Sequence, residues 1–286
     1  MLDELIRKTI REMVGGSGPP VAFLTPKGDR GLFGPESIAW KIHADFISMM
    51  IGGISSLILQ ALHPQALAGV WDHSTFREDL KGRLGRTAFF IAATTYGSTE
   101  MATKIIDKVN QIHTNITGFD EFGKPYSATD PHLLAWVHLT ETRSFMNSFE
   151  DYRKEIISPK EKDQYFLEMK SLGESIGAED LPSTYVNTET AIKTYIPELY
   201  FGERAKSIIH LLENFPGNLR SKLFIKLISR AGFLNLPDWV YPMIGKTTPG
   251  YLERLTIKKS IYLIALPVRE ALKDGVAAHS LRRVYG

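Results

Sequence analysis

The stretch Phe46–Leu62, FISMMIGGISSLILQAL, carries no charged side chain. Asp45 bounds it on one side and His63-Pro64 on the other. A membrane-spanning helix needs roughly 20 apolar residues, and this run is shorter. It reads as a buried central helix that extends back to Glu36 and is loosened at Gly52-Gly53. A membrane-embedded hairpin is the minor alternative.

Working outward from that helix, apolar residues recur at helical spacing. Gly31 and Gly34-Pro35 form the loop before it. Residues 83–116 carry one long stripe that includes Phe90, Ile105, Ile106, Val109, Ile112 and Ile116. Gly118 to Ser127 is rich in Gly, Pro and Asp and reads as loop. Asp130-Pro131 opens a helix that holds Leu134, Val137, His138, Phe145 and Phe149, because Asp caps well and Pro suits the first turn. Ser158-Pro159-Lys160-Glu161 opens the next as a capping box, with Tyr165, Phe166, Met169 and Leu172 on its buried face. Leu181-Pro182-Ser183 breaks that pattern, and further helices are expected near 203–214, 217–231 and 250–273. No sustained apolar–polar alternation supports a strand. No Gly-, Ser- or Pro-rich linker divides the chain, so one all-α multi-helix domain over 1–286 is expected.

Composition narrows the chemistry. The 286 residues are 43% hydrophobic and 23% charged, as in an ordinary globular protein. The chain has no cysteine, which removes disulfides, zinc thiolates, iron–sulfur clusters and thiolate-ligated haem. Eight histidines are the obvious metal ligands that remain. With 34 basic against 32 acidic side chains and no basic block, nucleic acid is not an expected partner. Leu2, Leu5, Ile6, Ile10 and Met13 suggest a short amphipathic helix docked on the body. Charges interrupt it, unlike the core of a signal peptide. The expected location is cytoplasmic, with peripheral membrane contact as the minor reading.

Several motifs fail. Gly118 to Lys124 matches phosphate-loop spacing, but Pro125 stands where a hydroxyl is needed. There is no His-Glu-x-x-His, no Glu-x-x-His and no Gly-x-Ser-x-Gly.

Among the histidines, His113 lies four residues after Val109 and seven after Ile106, on an apolar face. A buried imidazole needs a hydrogen-bond partner or a metal, so it is either a core histidine tied to a carbonyl or a ligand. His138 repeats the situation beside Leu134. His63 ends the most apolar helix, where a cationic imidazole would be favoured as a cap. His73 reads as part of a turn, and His43, His132, His210 and His279 have neighbours that suggest exposure. Arg83 and Arg86 lie one turn apart at a helix start. That position is already electropositive, so a carboxylate, propionate or phosphate is expected nearby.

In order, the chain carries Ala61-Leu62-His63-Pro64, Gly69-Val70-Trp71-Asp72-His73-Ser74-x-Phe76, and Gly82-Arg83-Leu84-x-Arg86-Thr87. Tyr96-Gly97, Ile112-His113, Gly118, Tyr126-x-Ala128-x-Asp130-Pro131 and Trp136-Val137-His138 follow. In this order and spacing the sequence resembles the oxygenase-like family of the latex-clearing rubber oxygenases and the fungal mycophenolic-acid-pathway oxygenase. The motif-bearing part is 34–149.

The resemblance implies an all-α fold with a globin-like core, one non-covalent haem b, and O₂ acting on a lipophilic, unsaturated substrate. It implies that His113 is the proximal haem ligand and iron-binding residue. Arg83, Arg86 and Thr87 fall on the family's distal Arg-x-x-Lys-Thr element, and His63 and His138 are candidates for lining the haem pocket or standing just behind its wall. At the lysine position stands Arg86, whose protonated guanidinium cannot readily ligate iron. Leu62 to Val70 contains no carboxylate where the rubber enzymes carry one upstream. Both departures argue against rubber itself as substrate. The alternatives are a helical protein that binds a lipid or isoprenoid without haem, and a porphyrin-free metal enzyme built on His63, His113 and His138.

Overall fold

The computed structural model describes Glu4, residues 20–77, 79–214 and 219–286. Apart from Glu4, the amphipathic helix expected over Leu2–Met13 lies outside the described residues. The class is all-α, with thirteen α-helices and a single two-stranded hairpin among the described residues.

A six-residue helix, α1 (Ile38–His43), leads into the central α2 (Phe46–Ala61). The expected continuous helix over 36–62 is therefore broken, and the break is at Asp45 and not at the glycines. Asp45 has an extended backbone and accepts a hydrogen bond from Ser48 N at 2.9 Å, the geometry of a helix N-cap. Its carboxylate also takes Arg269 Nε at 2.6 Å. Gly52 and Gly53 continue the helix without a bend-inducing partner. A Cβ on Gly52 would lie 2.7 Å from Phe145 Cδ1 and 2.9 Å from Ser144 O, so glycine lets α6 (Pro131–Arg153) approach closely. Ser148 Oγ crosses the seam to Ser48 O at 2.8 Å.

On its other sides α2 packs on α9 (Glu203–Glu213) and α10 (Leu219–Leu234). Ile47, Ile51, Ile58 and Leu59 are fully buried among them. The apolar run is thus spent on the protein's own core. Among the described residues no single helix is long and apolar enough to cross a membrane. Only α2 with α3 (Pro64–His73), a pair bent by 106°, passes on length and composition.

The stripe over 83–116 is two helices, α4 (Leu80–Tyr96) and α5 (Thr99–His113). Ser98 caps the second by accepting from Met101 N, which ends the continuity that the apolar spacing suggested. Within the expected loop, β1 (Thr117–Phe119) pairs antiparallel with β2 (Pro125–Ser127), Gly118 facing Tyr126. A side chain at Gly118 would strike Tyr126, and Gly123 turns the chain at φ +76°. Asp130 caps α6 as expected, and Ser158 with Glu161 forms the capping box of α7 (Pro159–Ser175). The remaining helices are α8 (Tyr185–Thr194), α11 (Val240–Met243), α12 (Tyr251–Leu272) and α13 (Val276–Tyr285).

Candidate functional site

The start of α4 carries Arg83, Arg86 and Thr87, and they face different surroundings. Asp79 caps the helix, accepting from Gly82 N at 2.8 Å, and its other oxygen lies 3.6 Å from Arg86 Nη1. A carboxylate therefore answers Arg86 at this electropositive end, but not Arg83. Arg86 and Thr87 are exposed. Arg83 turns inward, and its Nη1 donates to Ser74 Oγ at 2.9 Å. Burial, with Arg86 adding repulsion, lowers its pKa. It lines a narrow apolar recess with Leu57, Val70, Phe76 and Leu211. Phe76 and Leu211 also line an open cavity of about 320 Å³, with Trp71, Arg77, Lys206 and His210 around it. The Arg77 guanidinium sits 4.6 Å from the centre of the Trp71 ring, which fixes one wall.

His113 is the last residue of α5 and is half-buried, where the apolar spacing suggests a fully buried position. Its Nδ1 is buried and has no hydrogen-bond partner. Burial lowers its pKa, so the imidazole is neutral and keeps a lone pair.

His138 is fully enclosed on α6. Its Nε2 is 2.7 Å from Met169 O on α7, and burial takes its pKa down to about 4. Gly173 sits against this ring with no room for a side chain. His138 is therefore a core histidine tied to a carbonyl.

His63 is the N-cap residue of α3, not a cap on the end of α2. Its extended ψ of 113° is what the following Pro64 favours. Burial lowers its pKa against the opposing pull of Glu198, which removes the reason for a cationic cap. Its Nε2 lies 3.4 Å from Glu198 Oε2.

His132, at the start of α6, points Nε2 at the same carboxylate, 3.0 Å from each oxygen. The reading of the sequence missed both His132 and Glu198. The position of the first in the opening turn of a helix suggests exposure, and only the fold brings the second, 135 residues from His63, into contact. His43 also differs from expectation: it is buried between Thr95 Oγ1 at 2.8 Å and Tyr165 OH at 2.9 Å. Its pKa falls to about 3 by burial.

Among the described residues, no hydrogen bond, ion pair or ring contact joins His113 to Arg83, His63 or His138. The porphyrin-free site that would unite His63, His113 and His138 is not assembled. His63 is grouped instead with His132 and Glu198.

A family profile described as "ER-bound oxygenase mpaB/B'/Rubber oxygenase, catalytic domain" matches residues 40–260. The match runs from α1 into α12 and so extends well beyond the motif-bearing part. Neither curated proteins nor solved structures yield a match. With more than half of its length matched, the chain belongs to the family of mpaB-type and rubber oxygenase catalytic domains.

Proposed function

We propose that this chain is a haem-b-dependent oxygenase acting on a lipophilic, unsaturated substrate, with His113 as the proximal ligand. The observation that carries the reading is the His113 side chain. It is a neutral imidazole with a buried, unpartnered nitrogen, in a family of oxygenases. A histidine that holds haem iron must offer a free nitrogen lone pair, and no cysteine thiolate is present to take that role instead. His138 is less suited, because its Nε2 is already held by Met169 O.

Haem bound there would supply the O₂ chemistry, and the chain would supply binding, orientation and exclusion of water. Arg83, fixed by Ser74 inside an apolar recess, can hold a carboxylate or donate hydrogen bonds to a polar group of the bound molecules. Arg86 and Thr87, one turn further along α4, can serve a propionate at the surface. His138, held by Met169 O, would act from behind the pocket, whereas His63 is engaged by Glu198 and takes no part in holding the haem. The cavity beside Trp71 and Phe76 suits an apolar substrate, with Arg77 and Lys206 near its opening.

A haem-free lipid carrier is the second reading, favoured by that same apolar cavity. Purification with haem supplied decides between them. A Soret band that His113→Ala abolishes supports the oxygenase. A band lost in a folded His138→Ala protein but kept in His113→Ala would move the ligand to His138. Haem-free protein with a co-purifying lipid in organic extracts would overturn the reading.

A further inference from the structure

Three segments far apart in sequence meet beside the end of α2. They are the Leu62–Pro64 corner, the first turn of α6, and the 3₁₀ turn Ile196–Glu198. Tyr200 N donates to Leu62 O at 2.7 Å, and Tyr195 OH donates to His132 O at 3.1 Å, which lock the three together. Each segment presents one metal-ligand side chain directly beside a proline: His63 before Pro64, His132 after Pro131 and Glu198 after Pro197. Each proline fixes its own φ near −65°, and Pro64 also restricts His63 before it, so the chain leading to each group has reduced freedom.

The rings are fixed as well. His132 stacks on Tyr195 with centroids 4.4 Å apart, and Trp136 and Tyr195 flank His63. One donor atom from each of His63, His132 and Glu198 lies within 4.8 Å of the other two. Ligand atoms bound at about 2.1 Å to one tetrahedral ion stand roughly 3.4 Å apart. The His63–Glu198 and His132–Glu198 separations of 3.4 and 3.0 Å are close to that value.

The charge balance points the same way. Among the described residues no Lys or Arg pairs with Glu198, whose partners are the two imidazoles. Asp120 adds negative potential at His63. His63 is nearly devoid of solvent contact and its Nδ1 has no partner, while Glu198 and His132 remain open to solvent. The result is a site with a buried floor and an accessible mouth.

We propose that His63, His132 and Glu198 bind one divalent transition-metal ion of the Zn²⁺, Co²⁺ or Fe²⁺ type. Two imidazoles and one carboxylate are a ligand set for such ions and leave coordination positions for water or another small ligand. The site is separate from His113 and does not depend on haem.

The test is titration of EDTA-treated full-length protein with CoCl₂, followed by visible absorption, and then displacement by ZnCl₂. One saturable equivalent is expected, with affinity weakened by at least about 100-fold in His132→Ala and in Glu198→Gln, since losing even an outer partner of a ligand costs about 10–100-fold. Both substituted side chains are exposed, so the variants should fold. His113→Ala should bind Co²⁺ as the parent does. Haem uptake, read as the Soret band, should be unchanged in His132→Ala and Glu198→Gln. Failure of the haem proposal is therefore visible separately from failure of this one. Absence of saturable binding overturns the metal site, and so does equal affinity in the parent and both variants.

Discussion

His43 and His138 sit in the core as neutral imidazoles, and their protonation is driven by unfolding. Their pKa values fall to about 3 and about 4 through burial. In an unfolded chain both would titrate near 6.5, so the folded state is favoured above that pH and loses ground below it. Each pH unit below 6.5 removes about 1.4 kcal/mol of stability per histidine until the folded-state pKa is reached. Urea unfolding at pH 7 and pH 5 measures the loss, and His43→Gln should remove one histidine's share of the slope. Glu141 behaves in the opposite sense. It keeps part of its surface exposed, yet the burial of its carboxyl raises the pKa to about 7. Its contribution is present at low pH and lost as pH rises from about 4.5 through 7. Glu141→Gln should therefore raise the Tm at pH 8 and change it little at pH 5. The sequence makes His113 and His138 visible because apolar neighbours recur at helical spacing around them, and Arg83 visible because Arg86 follows one turn later at a helix start. It hides the partners, since nothing local to His63 announces Glu198 and nothing local to His43 announces Tyr165.

Two adjacent glycines of α2 separate helix propensity from helix packing. A Cβ at Gly52 meets Phe145, Ser148 and the backbone oxygen of Ser144 within 2.9 Å, while at Gly53 it meets nothing within 4 Å. Gly52→Ala should destabilise by about 1–3 kcal/mol, because α6 must shift outward along its whole seam with α2. Gly53→Ala should stabilise by up to about 1 kcal/mol, the usual gain of alanine over glycine inside a helix. Thermal unfolding of the two variants reads the sign directly, and equal effects would refute the packing role assigned to Gly52. The presence of α2 was legible because a charge-free run bounded by Asp45 and Pro64 has few other uses. Its true start was not, since the cap at Asp45 is confirmed by Arg269 from a helix 224 residues away. The division of α4 from α5 escaped for a similar reason. Apolar periodicity runs through Gly97-Ser98, and only the cap at Ser98 and the carbonyl partners of the junction mark the break. The hairpin at 117–127 is too short to show alternation, and its turn residues around Gly123 read equally well as loop.

The two ends of the described chain close on one another through a single buried guanidinium. Arg283 of α13 has no solvent exposure. Its Nη1 donates to Tyr96 O at 2.7 Å and Phe23 O at 3.3 Å, its Nη2 to Gly97 O at 3.0 Å, and its Nε to Asp29 O at 2.9 Å. Gly28 N returns a bond to Arg283 O at 2.7 Å. One side chain thus ties the final helix to the 3₁₀ turn Pro20–Leu24, to the loop at Asp29 and to the junction of α4 with α5. That junction orients the helix carrying Arg83 relative to the helix carrying His113. The closure was not legible in sequence, because the C-terminal helix has no diagnostic motif and four backbone oxygens leave no pattern of residue types. A lysine can reach this position but offers a compact point charge in place of the planar fork. Arg283→Lys should therefore leave some of the four carbonyls unpaired in a buried setting, at about 1–3 kcal/mol for each group that water does not reach. Arg283→Met removes the charge and every donor, so it should lower the urea midpoint further than the lysine variant does. Because the clamp spans α4 and α5, hydrogen exchange should also rise at Tyr96, Gly97 and Ser98 in both variants, before any change at the α2–α6 seam. A methionine variant as stable as the parent, with unchanged exchange at that junction, would show that packing alone holds the two ends together.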